Sequence, residues 1–390
     1  KKNSTSKVPT DSICSVCSAP SEYLYFNNGI KRSQIKCKIC NSVSQLHPRH
    51  LYKSKYSCPY CQSPLRLWKH RKQFSVFKCD NNFCSCYISN KSKLNKAEKL
   101  IAKFKPFHFK LRYIFREYHF SSEQLIHSAP AKIESAILNI RNSLNTLCLA
   151  LTFHVSLGIS ARKTAFILKN VFLIPASYQT ILNYTQLAAF HCHKFNFAFK
   201  GNVDSTQTGD ETYIKVAGKN NYTFFFLSPT RRAITSYHVA NSRDTLPATV
   251  AMTEAIRTAN NTQQITLVTD ANPSYQAGIH FINQSREPKL SHKKVIGLQN
   301  LDSESTEFRP FKQLIERLNG TYKFHIRAAC GFASSVGAVA LTTVFVTYYN
   351  FLRPHSSLNY SVPIPIKDLV GIPTIQGKWS KILDLALSLN

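Results

Sequence analysis

Apolar residues recur at intervals of three and four over residues 129–152, where IESAILNIRNSLNTLCLAL sets them on one face of a helix. Residues 157–187 divide into two further helical patterns. Ser160 is placed to cap the first, and Pro175 followed by Ser177 marks a turn and a second start. From residue 194 the period shortens. KFNFAFKGNVDSTQT reads as a first strand, GDETYIKVAGKNNYTFFFLSPT as its continuation into a second, and RRAITSYHVANS as a third. The helical stretch DTLPATVAMTEAIRTA then precedes ITLVTD, a continuous apolar run of the kind buried on both faces of a sheet, ending at Asp270. Around Glu316 the helical period returns, with Ile315, Leu318 and Tyr322 facing inward. Between them, QSREPKLSHKKVIGLQNLDSESTEF reads as an inserted loop, basic then acidic, with Asp302, Glu304 and Glu307 solvated. No apolar run reaches the roughly 18 to 20 residues a bilayer requires, so no membrane partner is expected.

Composition narrows the function. The 390 residues allow two to three domains, and a 43% apolar share suits globular cores. A formal charge of +30 attracts polyanions and displaces their condensed counterions. The excess is concentrated early: residues 1–112 hold 23 Lys and Arg against Asp11, Glu22, Asp80 and Glu98. Nucleic acid is the partner this implies. KKNSTSKVPTDS shows no hydrophobic signal core, so a cytoplasmic protein acting at a bacterial nucleoid is expected.

Eight of the twelve cysteines form four close pairs near the front. Cys14, Cys17, Cys37 and Cys40 make one set; Cys58, Cys61, Cys79 and Cys84 make another. A C-x2-C turn presents two thiolates to a tetrahedral ion, and a second turn about 15 to 20 residues on completes the sphere. Two structural Zn²⁺ per chain are therefore expected. Disulfides, the alternative, would meet a reducing compartment. Cys86 could replace Cys84, but KCDNNFCSCY resembles the ending of zinc ribbons and favours Cys84. Between the pairs, YLYFNNGIKRSQIK and LRLWKHRKQFSVFK alternate aromatic and basic residues in β-like runs suited to DNA or to a protein partner.

Three separated carboxylates carry the candidate chemistry: Asp210 in GDETYIKV, Asp270 in ITLVTDANPSY and Glu316 in FKQLIERLNGTYK. Folding could bring them to one point, as a paired-metal phosphoryl-transfer site requires. Lys323 lies two helical turns beyond Glu316, on its face, where it could grip a phosphate. Arg317 and Arg327 are further candidates for phosphate contact.

These strings, with RDTLPATV before Asp270 and YYNFLRPHSSL after Glu316, resemble the catalytic core of DDE-type bacterial insertion-sequence transposases, relatives of retroviral integrases. The resemblance spans about residues 200 to 360, five blocks in family order. It implies an RNase H-like, mixed-sheet α/β core that cleaves DNA at transposon ends and joins the 3′ hydroxyls to target DNA. Asp210, Asp270 and Glu316 would hold two Mg²⁺ (or Mn²⁺) ions per site. Asp210 is preferred to Asp204 because the Thr two positions on and the Gly-Lys turn eight positions on match the family pattern, leaving Glu211 as a possible supporting residue. The Glu316 to Lys323 offset matches the family as well. Residues 157–187 resemble the helix-turn-helix that precedes many such cores, with Ser177, Tyr178, Gln179, Thr180 and Asn183 toward base edges; two helices packed on the core are the alternative. Tyr348, Tyr349 and Asn350, with Arg353, Pro354 and His355, are expected to be structural.

The expected organisation is a zinc ribbon at 1–48, a second at 49–90, a basic linker or helical connector at 91–128, the helical helix-turn-helix domain at 129–192, the core at 196–360 and a tail at 361–390. Double-stranded DNA at transposon ends and target would be bound by a homodimer or larger assembly. The rival reading is a zinc-dependent DNA-binding regulator derived from such an enzyme but not catalytic.

Overall fold

A computed structural model of the protein describes residues 8–27, 34–45, 56–71, 74–105, 109–125, 130, 142–295 and 303–389. Most of the helical pattern before residue 142, and Asp302, lie outside these residues. The chain divides into two compact units, Lys1–Arg116 and Glu117–Asn390.

In the first unit, strands β1 (Leu24–Phe26), β2 (Gln34–Cys37) and β3 (Val43–Gln45) form an antiparallel sheet. Its buried core is small: Val8, Ala19, Leu24 and Ile35 with Cys14 and Cys37. A second three-stranded sheet is built from β4 (Arg66–His70), β5 (Phe74–Lys78) and β6 (Tyr113–Tyr118). Here Tyr56, Phe77 and Phe115 meet with ring centroids 4.6 to 5.4 Å apart, beside Cys58, Cys79 and Cys84. Between β5 and β6 run α1 (Ser85–Ser92) and α2 (Lys96–Phe104). Asn95 and Glu98 close a reciprocal capping box that starts α2, a helix within the stretch expected as a basic, helical connector.

The second unit opens with α3 (Leu144–Leu151), α4 (Ala161–Asn170) and α5 (Tyr178–Ala198). Ser160 and Ser177 accept from Lys163 N and Thr180 N at 3.3 and 3.2 Å, capping α4 and α5. At 21 residues, α5 absorbs KFNFA and is capped by Phe199, where the alternation suggests a strand. The reason is packing: Phe195 and Phe199 stand four apart on one helical face, their centroids 4.5 Å apart, and Phe195 meets Phe351 at 4.9 Å.

The first core strand is therefore β7 (Thr206–Val216), followed by β8 (Lys219–Leu227) and β9 (Ile234–Ala240) in an antiparallel meander. After α6 (Thr245–Ile256), β10 (Thr266–Thr269) returns parallel to β7. Then come α7 (Pro273–Ile282) and β11 (Ser291–Lys294), parallel to β10. The order β11-β10-β7-β8-β9 is that of an RNase H-like sheet. β11 falls within the expected loop. Its SHKK has no apolar alternation to announce it, because an edge strand of four half-buried residues is held by backbone pairing.

Helix α8 (Ser303–Arg327) starts in the same stretch, which puts Glu307 on a helix, exposed. α9 (Ser335–Phe351) and α10 (Ile375–Leu387) complete the unit. The sheet is covered on both faces. Phe224 and Phe226 point to α6 and α7, while Phe225 and Leu227 point to α8 and α9. Gly278 lets α7 lie against α6, since a methyl there would run into Met252. The helices before the sheet share one core with α9 and α10, including the fully buried Trp379. Asn350 ties α9 to β9 through both backbone groups of Ile234, at 2.8 and 2.9 Å. Among the described residues, no helix is long and apolar enough to cross a membrane.

Candidate active site and zinc centres

Parallel pairing of β10 with β7 runs from Thr266 opposite Thr206 to Val268 opposite Thr208, so Asp270, just past the end of β10, comes beside Asp210. Gly209 keeps the preceding position open, because a side chain there would strike the Phe226 ring. Oxygens of Asp210, Glu211 and Asp270 lie within 4.8 Å of one another. Such spacing suits shared coordination of a cation, and it is costly without one.

Each carboxylate is held differently. Asp210 Oδ1 is 2.9 Å from Lys312 Nζ, and its Oδ2 accepts from Asn319 Nδ2 at 3.0 Å; both partners come from α8. Burial pushes the Asp210 carboxyl up from an ordinary 3.8 to about 6; Lys312 opposes that rise, and the charges of Glu211 and Asp270 add to it. Glu211 accepts from Tyr275 Oη at 2.6 Å and from Asn272 Nδ2 at 3.0 Å, with Arg243 at 4.0 Å. Asn272 in turn donates its backbone N–H to Asp270 Oδ1 at 3.0 Å and caps α7. Glu211 thus fixes the turn that aims Asp270. Its place in the cluster was signalled by nothing beyond its adjacency to Asp210.

Glu316 sits on α8, exposed, and lines a cleft of about 580 Å³ with Asp270, Arg243, Asn272, Arg309 and Lys312. It is outside the group of oxygens gathered within 4.8 Å. Ile315, Leu318 and Tyr322 are buried and fix the helix rotation that turns Lys312, Glu316 and Asn319 toward the sheet end. Lys312 has no sequence signal that marks it as a site residue; its contact with Asp210 comes from the tertiary fold. Lys323 stands 4.4 Å over the Tyr213 ring and, with Arg327, lines a separate open groove beside Lys215. Asp204 is bound to Ser228, Thr230 N and Arg231, and so secures a loop.

On α5, Tyr178, Gln179 and Asn183 are exposed, and Thr180 is half-buried. Gln179 Nε2 donates to Asn183 Oδ1 at 2.9 Å, and Arg162 of α4 lies 5.0 Å over the Tyr178 ring.

In the first unit the sulfurs of Cys14, Cys17, Cys37 and Cys40 converge, as do those of Cys58, Cys61, Cys79 and Cys84. Contacts of 3.5 Å (Cys14 to Cys40), 3.6 Å (Cys17 to Cys37), 3.5 Å (Cys61 to Cys79) and 3.8 Å (Cys58 to Cys84) approach the roughly 3.8 Å edge of a tetrahedron with Zn–S bonds of about 2.3 Å. None of the twelve cysteines forms a disulfide. The Ser42 hydroxyl, 3.2 Å from Cys14 and 2.9 Å from Cys40, favours their thiolates, with Cys14 lowered to about 5. Cys86 lies outside the second cluster and accepts from Asn90 at 3.6 Å. Four-thiolate sets of this geometry are consistent with zinc ribbons.

A family profile described as a DDE domain matches residues 205–334, and one described as an integrase core domain matches residues 310–363. No curated protein matches the chain. Among solved structures, the HTLV-2 integrase catalytic core domain in complex with magnesium is 14% identical, covering 41% of this chain and 93% of its own, with a TM-score of 0.30. A simian T-cell lymphotropic virus intasome is 16% identical over 53% of this chain and 70% of its own, with a TM-score of 0.28. The Mos1 strand transfer complex is 9% identical over 65% and 88%, with a TM-score of 0.20. The strand order and the two matched profiles both describe an integrase-like α/β core.

Metal analysis of the purified chain should return two Zn²⁺ per chain. Cys84→Ser should lower this to about one and Cys86→Ser should leave two; retention of two by Cys84→Ser would place the fourth ligand elsewhere. The raised Asp210 carboxyl also has a consequence for stability. The folded protein keeps this proton where the unfolded chain has lost it, so the contribution is complete below about pH 4 and lost as pH rises through about 6. Raising the carboxyl from 3.8 to about 6 corresponds to roughly 3 kcal/mol. In Mg²⁺-free buffer, urea unfolding should show wild-type stability falling across that interval more steeply than that of Asp210→Asn; parallel profiles would refute it.

Proposed function

We propose that this chain, whose core belongs to the DDE transposase family, binds the terminal repeats of a mobile element, cleaves there to free 3′ hydroxyls and joins them to target DNA. The observation that carries the reading is the meeting of Asp210, inside β7, with Asp270, just past the end of the neighbouring β10, while Glu316 lines the same cleft as Asp270.

Asp210, Asp270 and Glu316 are the residues that would hold two Mg²⁺ or Mn²⁺ ions. When bound, such a pair activates the attacking oxygen and stabilises the leaving one. The chain's own side chains do the positioning. Asn319 holds one oxygen of Asp210, Glu211 braces the Asp270 turn through Asn272, and Lys312 charge-pairs the other oxygen of Asp210. Water attacks the phosphorus at the element end and the bond to the 3′ oxygen breaks, leaving a hydroxyl. That hydroxyl then attacks a target phosphodiester in line, and a target 3′ oxygen departs. No covalent protein intermediate is required.

Lys323 and Arg327 are assigned to DNA phosphates, a role supported by their exposure along one groove. Ser177, Tyr178, Gln179, Thr180 and Asn183 are assigned to end recognition, supported by the exposed first turns of α5. The two four-cysteine clusters would carry Zn²⁺ in a structural role. Since two ends are joined together, the working form is a dimer or larger.

Alanine at Asp210, Asp270 or Glu316 should slow strand cleavage of a terminal-repeat duplex at least about a thousandfold, ~4 kcal/mol of barrier, with end binding nearly intact in a gel-shift assay. Normal cleavage by Glu316→Ala would remove that residue from the site, and Asp204→Ala should stay active. Replacing Gln179 and Asn183 with Ala should reduce discrimination between terminal-repeat and random duplex by roughly 1 to 3 kcal/mol per lost bidentate contact. An unchanged affinity ratio would reduce this helix to a packing element.

A further inference from the structure

The first unit has a concave face used by neither the four-cysteine clusters nor the acid cluster. The second ribbon's sheet, α1, α2 and residues 109–113 enclose a groove of about 650 Å³. Its aromatic lining is Trp68 of β4, Tyr87 of α1, and Phe109 and Tyr113 near the start of β6, all half-buried. Its cations are Lys78, Lys91, Lys99, Lys103, Lys110 and Arg112, and among the described residues no Asp or Glu lines it.

These cations are not equivalent. Arg112 is anchored: it donates to the carbonyls of Cys79 and Asn81, each at 3.2 Å, and its guanidinium lies 3.7 Å over the Tyr87 ring. Lys78 is 3.8 Å from Asp80. Lys91, Lys99, Lys103 and Lys110 are exposed and take part in none of the described ion pairs. Gathering them around one hollow costs repulsion that an entering anion would relieve.

Cations around aromatic faces suit a polyanion that also carries flat rings. Paired DNA keeps its base faces within the stack and offers groove edges, whereas an unpaired strand presents phosphates and open base faces together. We propose that this groove binds an unpaired segment of DNA, its phosphates against the lysines of α1 and α2 and a base over Trp68. The inference rests on the reading of the chain as a DNA-processing protein, but it does not need the acid cluster to be active.

The two tryptophans make it testable on the whole chain. Trp379 is fully buried in the second unit and donates its indole N–H to Ser156 at 3.0 Å, so quenching by an added strand reports Trp68. A thymidine dodecamer should quench the zinc-loaded protein, and a blunt duplex of equal length should quench it far less. Trp68→Phe should abolish the signal. Trp68→Ala and the double variant Lys99→Glu, Lys103→Glu should each weaken dodecamer binding, followed by fluorescence polarisation, about ten- to a hundredfold, with duplex affinity much less affected. Metal analysis showing two Zn²⁺ in each variant confirms that the ribbons are folded.

An unquenched wild-type protein, equal quenching by duplex, or equal loss of both ligands in the double variant would overturn the proposal. Asp210→Ala should be quenched like wild type. Lost cleavage with retained quenching therefore leaves this inference standing, while cleavage without quenching removes it and leaves the active-site reading untouched.

Discussion

The oxygens of Asp210, Glu211 and Asp270 lie within 4.8 Å of one another, and in a partly buried setting packing alone cannot sustain that spacing. The second unit supplies counter-groups from both faces of its sheet. From one side α8 brings the Lys312 ammonium and the Asn319 amide to Asp210. From the other, α7 brings Tyr275 and Asn272 to Glu211. The two helices are set by apolar contacts, Ile315, Leu318 and Tyr322 for α8 and Tyr275 and Ile279 for α7, so the hydrophobic cores determine where the polar groups arrive. Even so, burial prevails at Asp210, whose carboxyl stays raised despite the lysine beside it.

The parts legible in the sequence were those carried by local pattern. The apolar run ending at Asp270 and the inward triplet on α8 follow from side-chain period, and the cysteine sets follow from spacing. What escaped depended on partners remote in the chain. KFNFAF alternates like a strand, yet its phenylalanines serve a helix because Phe351 lies beside them. SHKK carries no apolar signal and is a strand because β10 offers it backbone partners. Lys312 reads as one basic residue among many until α8 is laid across β7. Glu211, weighed only as a supporting residue, joins the acid cluster through a turn some sixty residues away, as the Asn272 bond shows. Tail residues 375–387 read as a short helix with no stated role, and they supply Trp379 to the helical core.

The two units solve stability differently. In the second, aromatic rings and aliphatic side chains from both sheet faces make extensive cores, and buried threonine hydroxyls on α9 return to its own carbonyls four residues back. In the first, cysteines are core residues themselves: among the described residues, Cys14 and Cys37 are buried with Val8, Ala19, Leu24 and Ile35. Ligand and core are then the same atoms, and metal binding is linked directly to folding. Arg112, bonded to the carbonyl of Cys79 and stacked on Tyr87, extends that linkage to α1.

The pair formed by Lys312 and Asp210 is poorly exposed, at 15% and 14% of side-chain surface. Mobile ions have little access to such a contact, whereas the exposed lysines of the first unit and Lys323 work entirely within their reach. Ionic strength therefore acts on the two kinds of charge unequally. Concentrations that would strip a polyanion from the surface leave the internal arrangement of the acid cluster intact, so release of the polyanion would not disassemble that cluster.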